Sequence, residues 1–175
     1  VTLFQLREKH LARETFLQEA WEIKEICHRY NIPLIINDAV DIAREVGADG
    51  VHIGLSDMNI KKARNLLGEE AIIGASAHNI AEALAAEEAG ADYIGCGAVF
   101  STSTKADTTS LPLCELTAIC RAVHIPAVAI GGITAENLLQ LSGSGVAGAA
   151  VISALFAKKD IAAAARQMRR LADQL

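Results

Sequence analysis

The sequence predicts an α/β fold built on parallel strands, and three observations carry that prediction. Short apolar runs recur along the chain, unbroken rather than alternating, as strands covered on both faces read. They are "VTLFQL" (1–6), "IPLII" (32–36), "GVHIG" (50–54), "AIIGA" (71–75), "YIGCGAVF" (93–100), "PAVAI" (126–130) and "GAAVI" (148–152). The segments between them carry helical periodicity, as in "FLQEAWEIKEICHRY" and "AEALAAEEAG". Gly-Ala-Asp stands where a helix gives way to a strand at Gly47 to Asp49 and at Gly90 to Asp92, and "GSGVAGAAVI" is similar near the end. Glycine adopts a positive φ cheaply at such a join.

Strand, helix, strand, repeated, is the pattern of a parallel α/β fold. No Gly-x-Gly-x-x-Gly follows an early strand, which disfavours an open doubly wound sheet. Seven strands stand against the eight of a closed (β/α)8 TIM barrel. That count and the abrupt start at Val1 lead to one expectation, a single barrel domain over residues 1–175 with its first βα unit missing from the chain.

Composition narrows the function. The chain is 51% hydrophobic but only 4% aromatic, so Ala, Ile, Leu and Val build the interior. A net charge of -5 offers no general attraction to nucleic acid or anionic membranes. Any phosphate must be held by a local site. Cys27, Cys96, Cys114 and Cys120 form no Cys-x-x-Cys pair and read as reduced thiols of a cytoplasmic protein. Neither a signal peptide nor an apolar run of membrane-spanning length is present, so no membrane partner is expected.

In a barrel of this kind the chemistry gathers at the C-terminal ends of the strands. The first run ends in "QLREK", which puts Gln5, Arg7 and Lys9 on one face of an extended segment, a set suited to a pyrophosphate. A solvated edge is the competing reading; it predicts acidic residues on that face, and Glu8 falls on the other, but the segment by itself leaves both readings open. The second run ends at Asn37 and Asp38, and Asp57 follows the third. Two carboxylates facing cations suit a Mg²⁺ shared with substrate phosphates, whereas each taken singly reads as a helix cap, Asp38 near Ala39 and Asp57 near Met58. The fourth run leads to Ser76, a donor or a turn residue. His78 beyond it reads as structural rather than as a zinc ligand. The fifth opens into "VFSTSTKAD", where hydroxyls and Lys105 can meet an anion. Gly131 and Gly132 end the sixth, and Ser153 opens a helix after the seventh, a second phosphate position.

Taken in order, "VTLFQLREK", "IPLIINDAVDIAREVGADGVHIGLSDM", "IIGASAHN", "GADYIGCGAVFSTSTKAD", "IPAVAIGGITAEN" and "AVISALF" closely resemble the thiamine-phosphate synthase family. The resemblance implies a transferase that uses Mg²⁺ to join hydroxymethylpyrimidine pyrophosphate to thiazole phosphate, giving thiamine phosphate and pyrophosphate through a dissociative pyrimidine cation. It assigns Gln5, Arg7, Lys9, Asn37 and Ser76 to the pyrimidine substrate, and Asp38 and Asp57 to the metal. Thr102, Thr104 and Lys105 fall in the family's closing loop over both phosphates, with Ser76 and Lys105 as the catalytic pair. Gly132, Ile152 and Ser153 match the residues that hold the thiazole phosphate. A homodimer is carried as an expectation of the same resemblance. Leu55, Ser56, Ala98, Ser101 and Leu113 depart from the family's usual residues. A thiazole tautomerase ranks second, since that group generally lacks the paired carboxylates and the full Gln-x-Arg-x-Lys set. A different class of reading is a non-catalytic phosphate-binding or regulatory barrel, or an inactive fragment.

Overall fold

The computed structural model describes residues 1–54, 59–101 and 110–175. Seven strands alternate with helices among them, and each pairing described is parallel, as the unbroken apolar runs require. The chain divides into two compact units.

The first unit comprises Val1–Ser76 with Ala89–Asp92. Its elements are β1 (Phe4–Leu6), α1 (Arg13–Arg29), β2 (Leu34–Asn37), α2 (Val40–Val46), β3 (Gly50–Ile53), α3 (Ile60–Leu67) and β4 (Ile72–Ala77) as far as Ser76. The strands pair in chain order, with Gln5 opposite Ile35, Asn37 opposite His52 and His52 opposite Gly74. Because side chains alternate along a strand, this register sorts them into two faces. Leu6, Leu34, Ile36, Val51, Ile53 and Ile73 share one face and join a single buried core with Phe16 and Ala20 of α1 and Val46 of α2. Each such side chain contributes about 1.5–3 kcal/mol by leaving water. Gln5, Asn37, His52 and Ser76 share the other face.

Gly-Ala-Asp acts through both its ends. Gly47 closes α2 in the left-handed region at φ 62°. The Asp49 N–H then donates to the Leu34 carbonyl at 2.9 Å, while its carboxylate accepts the Leu34 N–H at 2.8 Å. Asp92 repeats this on Ile73, with both bonds at 2.7 Å. Its carboxylate also holds Arg64 at 2.7 Å. The Arg64 guanidinium donates further to the carbonyls of Glu69, Ala71 and Gly90, collecting loop acceptors that no strand pairs.

The second unit comprises Ala77–Glu88 with Tyr93–Leu175. It holds α4 (Ile80–Ala89) up to Glu88, β5 (Tyr93–Gly97), α5 (Leu113–Ala122), β6 (Ala127–Ile130), a 3-10 turn (Leu138–Leu141), β7 (Gly148–Ala150), α6 (Ser153–Phe156) and α7 (Ile161–Ala172). Ile94, Cys96, Ala127 and Ala129 are buried on one face of the paired β5 and β6. The connection from β6 to β7 departs from the helical pattern. There the Asn137 side chain takes the Thr134 N–H at 2.8 Å and donates to the Gly132 carbonyl at 2.9 Å, and Gly143 and Gly145 follow at positive φ. A side-chain-built loop and two glycines leave room for only one 3-10 turn. β7 stops at Ala150, two residues before the apolar run does.

Candidate active site

The strand ends of the first unit bring several of the expected residues together. Asp38 directly follows β2 with φ 61°, a left-handed conformation that aspartate tolerates better than most residues. Its N–H donates to the His52 carbonyl at 2.9 Å. That turn directs the carboxylate away from the helix that follows. The position before α2 is Ala39, without a side-chain cap bond, and α3 is capped by Asn59, which accepts the Lys61 N–H at 2.8 Å. Asp38 instead pairs with Lys9 Nζ at 2.6 Å, and its other oxygen accepts the Gly54 N–H at 3.4 Å. A carboxylate at the end of β2 and a cation beyond β1 thus meet across neighbouring strand ends.

Gln5, Asn37 and Ser76 lie on the sheet face opposite the helix-side core, as the register requires. Gln5 and Asn37 are half-buried, whereas Arg7 and Lys9 are exposed. Sequence reasoning passed over His52. It is only 4% exposed, and its Nε2 lies 3.2 Å from Ser76 Oγ. Its one signal in the sequence is a polar residue inside "GVHIG", and a single strand's sequence does not show what stands opposite.

His78 takes the structural role expected of it. Its N–H and Nδ1 meet the Glu82 carboxylate at 2.7 and 3.1 Å, and Asn79 exchanges hydrogen bonds with Glu82 in a capping arrangement at the start of α4. Burial alone would raise the Glu82 carboxyl, but the backbone and side-chain hydrogen bonds from His78, its charge and the bond from Asn79 hold it below the ordinary carboxylate range.

The second unit carries the glycine site. Gly131 and Gly132 have φ of 96° and 63°, and a Cβ would fall 2.5 Å from Ala98 Cβ at Gly131 and 2.4 Å from the Ser101 carbonyl oxygen at Gly132. Only glycine fits either place. Ile152 and Ser153 are both exposed where α6 begins, with the Leu155 and Phe156 N–H groups donating to the Ile152 carbonyl at 3.0 and 2.9 Å. Ser153 also lines a cleft of about 610 Å³ with Thr134, Glu136, Lys158 and Gln167.

Asp57, Thr102, Thr104 and Lys105 lie outside the described residues. Among those described, no group of three or more His, Cys, Asp or Glu is placed to hold a metal. A Mg²⁺ bound through one or two carboxylates and substrate phosphates requires none. The described residues include no helix long and apolar enough to cross a membrane.

The family model for thiamine monophosphate synthase matches residues 1–155. The chain belongs to the thiamine monophosphate synthase family. It is 49% identical over 167 residues to a thiamine-phosphate synthase of Ruminiclostridium cellulolyticum, covering 95% of this chain and 80% of that protein. It is 51% identical over 160 residues to one from Methanobrevibacter smithii, covering 91% and 77%. The solved structure of a thiamine phosphate pyrophosphorylase from Pyrococcus furiosus superposes with a TM-score of 0.91 at 37% identity, over 98% of this chain and 83% of that one. A 3-hexulose-6-phosphate synthase shares the fold alone, at 20% identity and a TM-score of 0.73, over 98% and 87% of the two chains. As a thiamine monophosphate synthase family member, the chain is a transferase of thiamine biosynthesis.

Proposed function

We propose that this chain couples hydroxymethylpyrimidine pyrophosphate with thiazole phosphate in a Mg²⁺-dependent reaction that yields thiamine phosphate and pyrophosphate. The observation that supports this most directly is the Lys9–Asp38 pair at 2.6 Å, set beside the sheet face that carries Gln5, Asn37 and Ser76. The fold reading that goes with it is the family's (β/α)8 barrel, of which the described residues supply seven strands.

The donor chemistry of Asp38 fits a hard dication, because its carboxylate, which the Lys9 ammonium and the Gly54 N–H contact, offers the oxygen ligands that Mg²⁺ takes. Asp38 and Asp57 would hold Mg²⁺, which when bound supplies positive charge to the leaving pyrophosphate. Arg7 and Lys9 bind the same pyrophosphate, Arg7 through paired N–H groups and Lys9 as a point charge. Gln5, Asn37 and Ser76 orient the pyrimidine end. Thr102, Thr104 and Lys105 add donors to the phosphates, with Lys105 stabilising the departing charge. Gly132, Ile152 and Ser153 hold the thiazole phosphate, the glycine by letting backbone approach closely and Ser153 by its N–H and hydroxyl. The carbon–oxygen bond to pyrophosphate breaks first, and the thiazole nitrogen lone pair then captures the pyrimidine cation. No protein group need accept a proton, so alignment and electrostatic stabilisation of the leaving group carry the rate.

The test is pyrophosphate release from the two substrates with Mg²⁺ and with a chelator. Metal-dependent release accompanied by thiamine phosphate is the expected result. Release without thiamine phosphate, or none from folded protein, overturns the proposal.

A further inference from the structure

His52 stands between two of these residues. Its carbonyl accepts the Asp38 N–H at 2.9 Å, and its Nε2 lies 3.2 Å from Ser76 Oγ on the sheet face the site uses. The residue is 4% exposed, in a strand whose other members are Gly50, Val51 and Ile53. Burying an imidazole is costly unless its nitrogens are hydrogen-bonded. Valine or isoleucine would fill such a strand position without that cost.

We propose that His52 is a positioning residue for the pyrimidine pyrophosphate end of the site. Its Nε2–H donates to Ser76 Oγ and so turns the Ser76 hydroxyl hydrogen toward the substrate, while its carbonyl holds the peptide that carries Asp38. The inference rests on the roles given to Ser76 and Asp38 above.

The direction of the hydrogen bond follows from what an anion needs. An imidazole nitrogen and a hydroxyl at this distance admit two arrangements. If the ring accepts, the serine hydrogen points at the ring, and only lone pairs face the ligand. Pyrophosphate oxygens and the pyrimidine ring nitrogens are acceptors too, so that serine would repel them. If Nε2–H donates, it occupies one serine lone pair, and the hydrogen is left for the ligand. The second arrangement is the one that makes Ser76 a donor. Imidazole provides the N–H on a short, stiff side chain, and the same residue's backbone fixes the left-handed Asp38. One side chain and one carbonyl thereby set the ends of β2 and β4, the strands on either side of β3, relative to each other.

Two measurements test this. Nitrogen NMR of the ligand-free protein, with the His52 signals assigned by their loss in His52→Gln, should show Nε2 carrying a proton. Steady-state formation of thiamine phosphate should show kcat/KM lowered about ten- to hundredfold in His52→Leu, the range for a hydrogen bond serving a charged group. His52→Gln, which keeps an N–H donor, should recover most of that loss. In a Ser76→Ala background the same His52→Leu change should cost less than about threefold, because the hydroxyl it orients is gone. An unprotonated Nε2, or a His52→Leu loss of equal size with and without the hydroxyl, overturns the proposal. Where His52→Leu fails to fold, the Gln variant and the spectrum of the unaltered protein decide. An unaltered protein that makes no thiamine phosphate refutes the proposed function instead, and the nitrogen spectrum still decides which group donates.

Discussion

Asp38→Asn separates the chemistry of the site from its stability. Asparagine is the informative replacement, because it tolerates the φ of 61° and keeps an oxygen for the Gly54 N–H while removing the charge. The lost ion pair with Lys9 is partly open to solvent, with side-chain exposures of 44% for Lys9 and 25% for Asp38. Such a pair contributes at most about 1 kcal/mol to folding. For a chain of this length that moves Tm by no more than about 4 °C. Activity depends on the same charge differently. Removing one preorganised electrostatic partner from a site where charge develops lowers kcat about 10²- to 10³-fold. Asp38→Asn should therefore cut pyrophosphate release by at least about a hundredfold at limiting Mg²⁺ while the urea midpoint barely moves. Asp38→Ala should match that activity loss and add about 1–2 kcal/mol of destabilisation from the left-handed backbone. A variant Asn protein that retains kcat/KM within about threefold of the unaltered chain would remove Asp38 from the metal site and refute the reasoning.

Gly50→Ala should destabilise strongly, by about 3 kcal/mol or more in urea unfolding, because its Cβ would sit 1.8 Å from the Ile72 carbonyl oxygen and force β3 off β4. Gly68→Ala, at φ 95° but in open space, should cost only the backbone strain of about 1–2 kcal/mol, and equal losses would contradict the close approach at Gly50. Cys96, whose thiol burial pushes up to about 12, should resist a thiol reagent at about pH 8 until the protein unfolds, while exposed Cys114 reacts in the native state. Equal labelling rates at the two would show that Cys96 is accessible. Glu82 ionises below its ordinary 4.5 in the folded chain, so its stabilisation is complete above about pH 4.5 and is lost as pH falls through the lower folded-state value. Glu82→Gln should flatten that part of the acid unfolding curve, and an unchanged acid limb would show that the His78 and Asn79 contacts contribute nothing there.

The parallel α/β pattern was legible because its strands show as apolar runs, and two of them, β3 and β5, are also announced by Gly-Ala-Asp. Asp49 and Asp92 pair with Leu34 and Ile73 through the same two bonds, so the sequence repeat is a physical repeat. The connection before β7 was less legible. Its conformation is set by the Asn137 side chain bonding Thr134 and Gly132, a contact that leaves no periodic trace. At the site, Lys9 and Asp38 were readable as polar residues just past apolar runs. The competing cap reading of Asp38 could be dismissed only by its backbone, because nothing in "IINDAV" shows a left-handed aspartate. His52 was hidden for a related reason. Its partner lies 24 residues on, and only the register that sets His52 opposite Gly74 reveals that Ser76 shares its face.

That register does not itself depend on the repeated carboxylate. At the third copy of the motif Ala147 stands where aspartate would, yet its N–H still donates to the Ala127 carbonyl at 2.8 Å. The backbone pairing therefore aligns these strands, and the carboxylates of Asp49 and Asp92 each satisfy an N–H in the first two residues of the neighbouring strand. Asp92 does more, since it anchors the Arg64 guanidinium that gathers the carbonyls of Glu69, Ala71 and Gly90. These contacts all lie where strands begin. Asn37, Asp38 and Ser76 lie where strands end, and His52 reaches them from the face away from the apolar core. Under the proposed function, changes at the strand starts should therefore act on folding, and charge-removing changes at the strand ends should act chiefly on turnover. His52 touches two of the strand ends, its backbone carbonyl on the Asp38 N–H and its ring on Ser76, and a substitution there removes only the ring's contact with Ser76.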